Sequence, residues 1–129
     1  MIVVDASALV SIGDDEPDRV DILRCLHESD TAVIASINYV EAGIVLVSRS
    51  RLPDRQSYDR WLSSLGVIVR LSDDLGAPAL ETYLRYGRRI HPARLNLADC
   101  FAYALAKQLN APLLFKGDDF ALTDVKRAI

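Results

Sequence analysis

Histidine, cysteine and long apolar runs are scarce in this sequence. Among 129 residues there are two cysteines, Cys25 and Cys100, and two histidines, His27 and His91. Thiols so few and so far apart exclude a disulfide-stapled secreted scaffold and a clustered zinc site. Each cysteine reads as a plain buried thiol, His27 as a solvated helix residue and His91 as a loop residue, so neither histidine anchors a catalytic centre. The most apolar stretch, VIASINYVEAGIVLV, is interrupted by Asn38 and Glu41 and falls short of the roughly 18 residues that a membrane span needs. The first residues lack the basic region and cleavage site of a signal peptide. A soluble protein of the reducing cytoplasm, without membrane contact, is the expectation. An excess of charge is missing as well: 15 basic residues face 18 acidic ones, for a net charge of −3. The molecule as a whole does not attract a polyanion, and any nucleic-acid contact needs a local basic patch.

What is present is a 50% hydrophobic chain, long enough for one ordinary core and too short for two, so a single domain over residues 1–129 is expected. IVVD at 2–5, TAVIA at 31–35, VIVRL at 67–71 and PLLF at 112–115 have the short, β-branched or apolar character of strands buried on both faces. Between them, ASALVSI, EPDRVDILRCLHE, INYVEAGIVLVSRS, DRQSYDRWLSSLG, DDLGAPALETYLRYG and NLADCFAYALAKQLN return apolar groups at helical spacing. Ser36 is placed to cap the third of these helices, Gly66 to close the fourth, and Pro78 must fall in the first turn of the fifth or kink it. RRIHPARLN, at 88–96, reads as a loop and KGDDF, at 116–120, as the turn leaving the last strand. Strands alternating with helices predict an α/β domain around a short, mainly parallel sheet flanked by helices. There are no repeats, low-complexity tracts or linkers, and strand order is not legible.

Four acids occupy unexpected places. Asp5 ends an apolar strand, where an unpaired charge costs several kcal/mol. Glu41 shares an apolar stripe with Ile37, Ile44 and Val45, Asp99 lies in the first turn of the alanine-rich helix, and Asp118 and Asp119 follow PLLF directly. In open α/β sheets ligands bind beyond the carboxyl ends of the strands, so Asp5 and the Asp118/Asp119 pair share a rim if their strands are parallel neighbours. Carboxylates gathered there repel unless a hard divalent cation such as Mg²⁺ or Mn²⁺ joins them. Blander roles exist for each: Asp99 as a capping-box acid behind Asn96, Asp118 or Asp119 as turn or cap residues, Glu41 as an ion-pair partner. Of the adjacent pair, Asp118 is favoured as the site acid and Asp119 as the cap of a final helical turn, because consecutive side chains diverge. Gly117 before them can adopt angles closed to other residues. Ser7 either bonds within its own helix or orients a water at the site. Arg85, Arg88, Arg89 and Arg94 form the densest positive stretch near Asp99 and are the candidate phosphate-binding strip for a nucleic acid, with Tyr83 and Tyr86 available to stack bases.

Through MIVVDASALV, NYVEAGIVL, HPARLNLADCFAYALA and PLLFKGDDFALTDV the chain resembles, nearly end to end, the PIN-domain ribonucleases, and within them the VapC toxins of bacterial toxin–antitoxin pairs. By position, Asp5, Glu41 and Asp99 match the family's metal-binding acids. Many PIN domains follow the last strand with Thr, any residue, then Asp, whereas this chain has Phe115, Lys116 and Gly117, which shifts the fourth acid to Asp118 or Asp119. The resemblance implies a three-layer α/β/α fold and a Mg²⁺-dependent endoribonuclease, with Mn²⁺ as a substitute. It further implies cleavage of structured RNA such as tRNA or rRNA to 5'-phosphate and 3'-hydroxyl ends. The implied partners are a second copy of the chain and a VapB-type antitoxin, with operator DNA reached only through that antitoxin.

Two other phosphate chemistries fit poorly. An aspartate-nucleophile phosphatase wants a second Asp two residues after the first, where this chain has Ser7, and a phosphoacceptor receiver wants an acidic pair at the first strand and an Asp ending a middle one, which TAVIAS does not supply. The remaining rivals are a partner-binding module with a vestigial acid cluster and a housekeeping PIN nuclease without an antitoxin.

Overall fold

The computed structural model describes residues 1–71 and 74–129. Ile2–Val4 form β1, buried throughout, and the chain enters α1 (Ala6–Gly13) one residue later. There follow α2 (Arg19–Glu28), β2 (Ala32–Ala35), α3 (Ser36–Ser48), α4 (Arg55–Ser64), β3 (Val67–Arg70), α5 (Gly76–Tyr86), α6 (Leu97–Gln108), β4 (Leu113–Leu114) and a 3₁₀ turn at Phe120–Leu122. The strands pair in the order β3-β2-β1-β4, every pairing parallel, so the α/β architecture expected from the alternation of strands and helices is present.

Because successive strand residues face opposite sides, β1 feeds two cores. Val3 packs with Val33, Leu113 and the residues of α5 and α6, among them Ala102, Leu105 and Ala106. Ile2 and Val4 pack on the other side with Ile34, Leu114, Leu9 of α1, Ile22 of α2, Leu46 of α3 and Leu62 of α4. The result is three layers. Alanines at 98, 102, 104 and 106 are buried, and their small side chains let α6 lie close to the sheet.

Local signals account for most boundaries. Asp54 caps α4 by accepting from Ser57 N–H at 2.8 Å, and Gly66, at φ +72°, ends that helix in the left-handed region that glycine tolerates best. Pro78 is the third residue of α5, within the first turn, where a missing N–H forfeits no helical bond. The residue Asp73, from which a helix is expected, lies outside the described residues, and α5 itself begins at Gly76.

Two expectations are corrected at α3. Ser36 is its first helical residue and Ala35 holds the cap position without a side-chain bond, because the strand β2 runs into the helix with no intervening residue. The stripe of Ile37, Ile44 and Val45 is not the face turned to the core, which instead carries Asn38, Ala42 and Leu46. Ile44 is 62% exposed. An apolar helix can present hydrophobic side chains on several faces, so its periodicity alone does not say which one the sheet covers.

The chain leaves β1 for β2 on one side and returns as β4 on the other. The carboxyl ends of β1 and β4 therefore border the crevice where the direction of winding reverses, the usual ligand position in such sheets.

The packing predicts an asymmetry along α3. Leu46→Ala should cost about 2–5 kcal/mol, the range for truncating a fully buried leucine, whereas Ile44→Ala should change stability by less than about 0.5 kcal/mol, as at most surface positions. Urea unfolding of the two variants measures both; equal losses would mean that the buried face of α3 is misassigned.

Candidate active site

Asp5 immediately follows β1 and is 3% exposed. Its own N–H donates to Leu114 O at 2.9 Å, which ties it to β4, and its extended backbone makes it the cap of α1. One carboxylate oxygen, Oδ2, accepts from Ser7 N–H at 3.0 Å and from the Ser7 hydroxyl at 2.6 Å. The hydroxyl in turn accepts from Lys116 N–H at 3.0 Å, so a relay of two hydrogen bonds joins the start of α1 to the exit of β4. The other oxygen, Oδ1, is buried and has no hydrogen-bond partner among the described residues. Ser7 commits its single proton to Asp5, which makes it a residue that orients the carboxylate.

Asp99 is held by a complete capping box: Asn96 Oδ1 accepts from Asp99 N–H at 2.8 Å, and Asp99 Oδ2 accepts from Asn96 N–H at 2.9 Å. Its role as a cap is thus real, yet Oδ1 lies outside the box and the side chain also lines a cavity of about 260 Å³ shared with Asp5, Ser7, Glu41, Arg49, Lys116 and Asp119. Burial pushes the Asp99 carboxyl up to about 7, against the pull of the Asn96 N–H; the charges of Asp5, Asp119 and Glu41 push it further in the same direction. Asp5 is raised by burial, against its bonds to Ser7 and with a contribution from Asp119. Glu41, half-buried on α3, is raised by burial and then by Asp5. The four acids therefore act on one another electrostatically.

The adjacent aspartates separate, but in the sense opposite to that expected. Both are exposed, but Asp119 lines the cavity and Asp118 does not. Asp119 makes no side-chain cap bond to the 3₁₀ turn, and its backbone is helical, at φ −60° and ψ −51°; an N-cap residue needs extended angles to aim its oxygen back at the helix. Gly117, at φ +102°, provides the bend that brings Asp119 round.

The arginine strip is not at the acids. Arg85 stacks on the Tyr86 ring at 4.6 Å and pairs with Asp124 at 4.0 Å, on a different cavity between α5 and α6. Arg88, Arg89 and Arg94 are exposed and do not border the acid cavity. Leu95 N–H donates to Tyr86 O at 3.0 Å, which ties together the two ends of the intervening segment. The cations that do line the cavity are Arg49 and Lys116, neither of which carries a sequence signal beyond its charge.

Asn38 is the other residue that the sequence understates. It is fully buried and donates from Nδ2 to Ala98 O at 3.0 Å, linking α3 one turn before Glu41 to α6 one residue before Asp99. Its place at i−4 and i−8 from Ala42 and Leu46 is the only hint of burial available beforehand.

The residues suit a divalent cation. The donor set is all hard oxygen, Asp5 Oδ1 lacks any other partner among the described residues, and the acids resist shared ionisation. Among the described residues no three His, Cys, Asp or Glu side chains gather closely enough to enclose an ion unaided.

The family model for the PIN domain matches residues 2–126. A protein named Ribonuclease VapC from Mycolicibacterium smegmatis is 42% identical across 96% of this chain and 97% of its own length. The chain belongs to the VapC family of PIN-domain ribonucleases. Ribonuclease VapC42 of Mycobacterium tuberculosis is 39% identical over 98% of both chains. The crystal structure of Mycobacterium tuberculosis VapC20, described as a sarcin-ricin loop cleaving toxin, superposes with a TM-score of 0.77 at 16% identity over 97% of this chain and 96% of that one. A toxin–antitoxin complex from Klebsiella pneumoniae gives 0.71, also at 16% identity, over 96% and 93%. The last two likenesses establish the shared fold, and the curated relatives are VapC ribonucleases.

The raised carboxyls predict a pH dependence in the absence of metal. Folded Asp99 keeps its proton up to about 7, whereas an unfolded chain releases it near about 3.9. The folded state then binds more protons than the unfolded one, and stability falls as pH rises through that interval. In EDTA the melting temperature should drop between about pH 4 and pH 7.5, and Asp99→Asn should flatten the drop. A wild-type profile that rises over the same range would contradict the clustering of these acids.

Proposed function

We propose that the cavity bounded by Asp5, Glu41, Asp99 and Asp119 is the active site of a Mg²⁺- or Mn²⁺-dependent endoribonuclease. The observation that carries the reading is Asp5: a buried carboxylate with one oxygen fixed by Ser7 and the other left without a partner among the described residues, facing three further acids. Asp5 and Asp99 would hold the ion, with Glu41 and Asp119 completing its surroundings through direct or water-mediated contacts. When bound, the ion supplies a water of lowered pKa and counter-charge for the phosphoryl oxygens.

The chain's own residues would do the rest. Ser7 and the Lys116 N–H keep Asp5 in one rotamer; the capping box does the same for Asp99; Asn38 holds the two acid-bearing helices at a fixed separation. Glu41 or Asp119, where not engaged with the ion, is placed to accept a proton from an attacking water, since burial and neighbouring charge keep Glu41 readier to bind one than an ordinary carboxylate. With water as nucleophile the RNA 2'-hydroxyl need not react, which accords with 5'-phosphate and 3'-hydroxyl products.

The substrate in this reading is structured RNA, tRNA or rRNA, in the cytoplasm; among the described residues no helix is long and apolar enough to cross a membrane. The partners are a VapB-type antitoxin and a second copy of the chain. Val40, Ile44 and Leu97, exposed at 50%, 62% and 66%, border Glu41 and give such contacts an apolar surface.

Purified protein incubated with total cellular RNA should cleave it in millimolar Mg²⁺ or Mn²⁺ and not in EDTA. Asp5→Asn should lose activity by a factor on the order of 10² or more, the size of removing one preorganised electrostatic group. Asp119→Asn should lose far more activity than Asp118→Asn. Cleavage that persists in EDTA, or in Asp5→Asn at the wild-type rate, would overturn the metal mechanism. Without RNA present, Mn²⁺ should raise the wild-type melting temperature, and raise that of Asp99→Asn less.

A further inference from the structure

The geometry points to Arg49 and Lys116 as the residues that grip the RNA phosphates beside the scissile bond, held until then by carboxylates of the segment joining α1 to α2. This rests on the ribonuclease reading above and adds the substrate-binding groups to it. A cavity lined by four acids repels a polyanion, so the divalent ion alone must overcome that repulsion unless protein cations assist. Arg49 and Lys116 are the cations lining this cavity, and they come from separate elements, the end of α3 and the exit of β4.

Both are engaged by partners that can let go. Arg49 pairs with Asp14, and Lys116 pairs with Glu16 and, at 3.4 Å, with Asp18. The Arg49 side chain is 54% exposed and that of Lys116 37%, so solvent and salt screen both cations in these pairs. A phosphate accepts from guanidinium or ammonium groups at least as well as a carboxylate does, and for arginine it does so bidentately. Release also leaves two of the three carboxylates satisfied: Asp14 keeps Arg51 at 3.0 Å, and Asp18 keeps the Ser11 hydroxyl. The exchange of partners is therefore cheap, and the acidic segment Asp14–Asp18 acts as a competitor for the two cations.

Binding would be followed by the anisotropy of a labelled RNA hairpin in the Asp5→Asn background, without divalent ion, across a range of salt concentrations. Arg49→Ala with Lys116→Ala should reduce the slope of log affinity against log salt by about one to two units, one for each phosphate that is no longer neutralised, while Arg60→Ala, at an exposed position of α4, should leave it unchanged. Glu16→Gln should tighten binding more than Glu28→Gln, a matched loss of charge elsewhere, and the extra gain should vanish when Lys116 is already Ala. Melting curves confirm that each variant folds; should the double variant fail, the Glu16 and Lys116 cycle decides alone. An unchanged slope with binding intact, or a Glu16→Gln gain that survives in Lys116→Ala, would overturn the phosphate role and leave the nuclease reading standing. Absence of any RNA binding by the parent without divalent ion would overturn the phosphate role, and absence of binding by the wild-type chain in Ca²⁺ or Mg²⁺ as well would overturn both.

Discussion

A carboxylate buried at the carboxyl end of the central strand governs the rest of this structure. Asp5 cannot retreat to solvent, because its N–H is bonded to β4 and its neighbours Val4 and Ala6 are buried on either side. Half of its hydrogen-bonding capacity is met locally, by the backbone and hydroxyl of Ser7. The other oxygen has no hydrogen-bond partner among the described residues. Placing Glu41, Asp99 and Asp119 around the same cavity makes the charged form costlier still, and an arrangement that costs stability is retained where a ligand repays it.

The fold holds these mutually repelling groups together by distributing the restraints. No single element carries more than one of the acids: they come from the end of β1, the middle of α3, the first turn of α6 and the turn after β4. Each is fixed by its own device: the helix cap at Asp5, the capping box at Asp99, the Asn38 bridge beneath Glu41 and the left-handed glycine before Asp119. Because the two helices and two strand ends are packed into separate cores on the faces of one sheet, electrostatic repulsion at the rim cannot easily drive them apart. Buried leucines and alanines stabilise the platform, and the acids draw on that stability.

The same distribution explains how an acidic protein can be a ribonuclease. A net charge of −3 offers no general attraction for RNA, and the conspicuous arginines near position 88 do not line the cavity. The positive charge that matters is local and already paired, which keeps the resting surface from acting as a non-specific polyanion binder while leaving it available to phosphate.

Much of this was legible in the amino-acid order because it depends on local rules. Strands of β-branched residues, helices of 3.6-residue period, the Asn96 capping box, the placement of Pro78 and the glycines at 66 and 117 all follow from interactions spanning a few residues. Asp5, Glu41 and Asp99 stood out for the same reason, as charges where their neighbours predicted apolar groups. Only the tertiary structure could decide which face of α3 is covered, since Ile44 and Leu46 look equally apolar along the chain and differ by which of them meets the sheet. It also puts Asp119 and not Asp118 in the lining of the cavity, after the positive φ of Gly117 redirects the chain. And it lines the cavity with Arg49 and Lys116 rather than Arg88 and Arg89, because which cations border a buried acid is set by how strand ends and helix ends converge in space, over separations along the chain that no local pattern records.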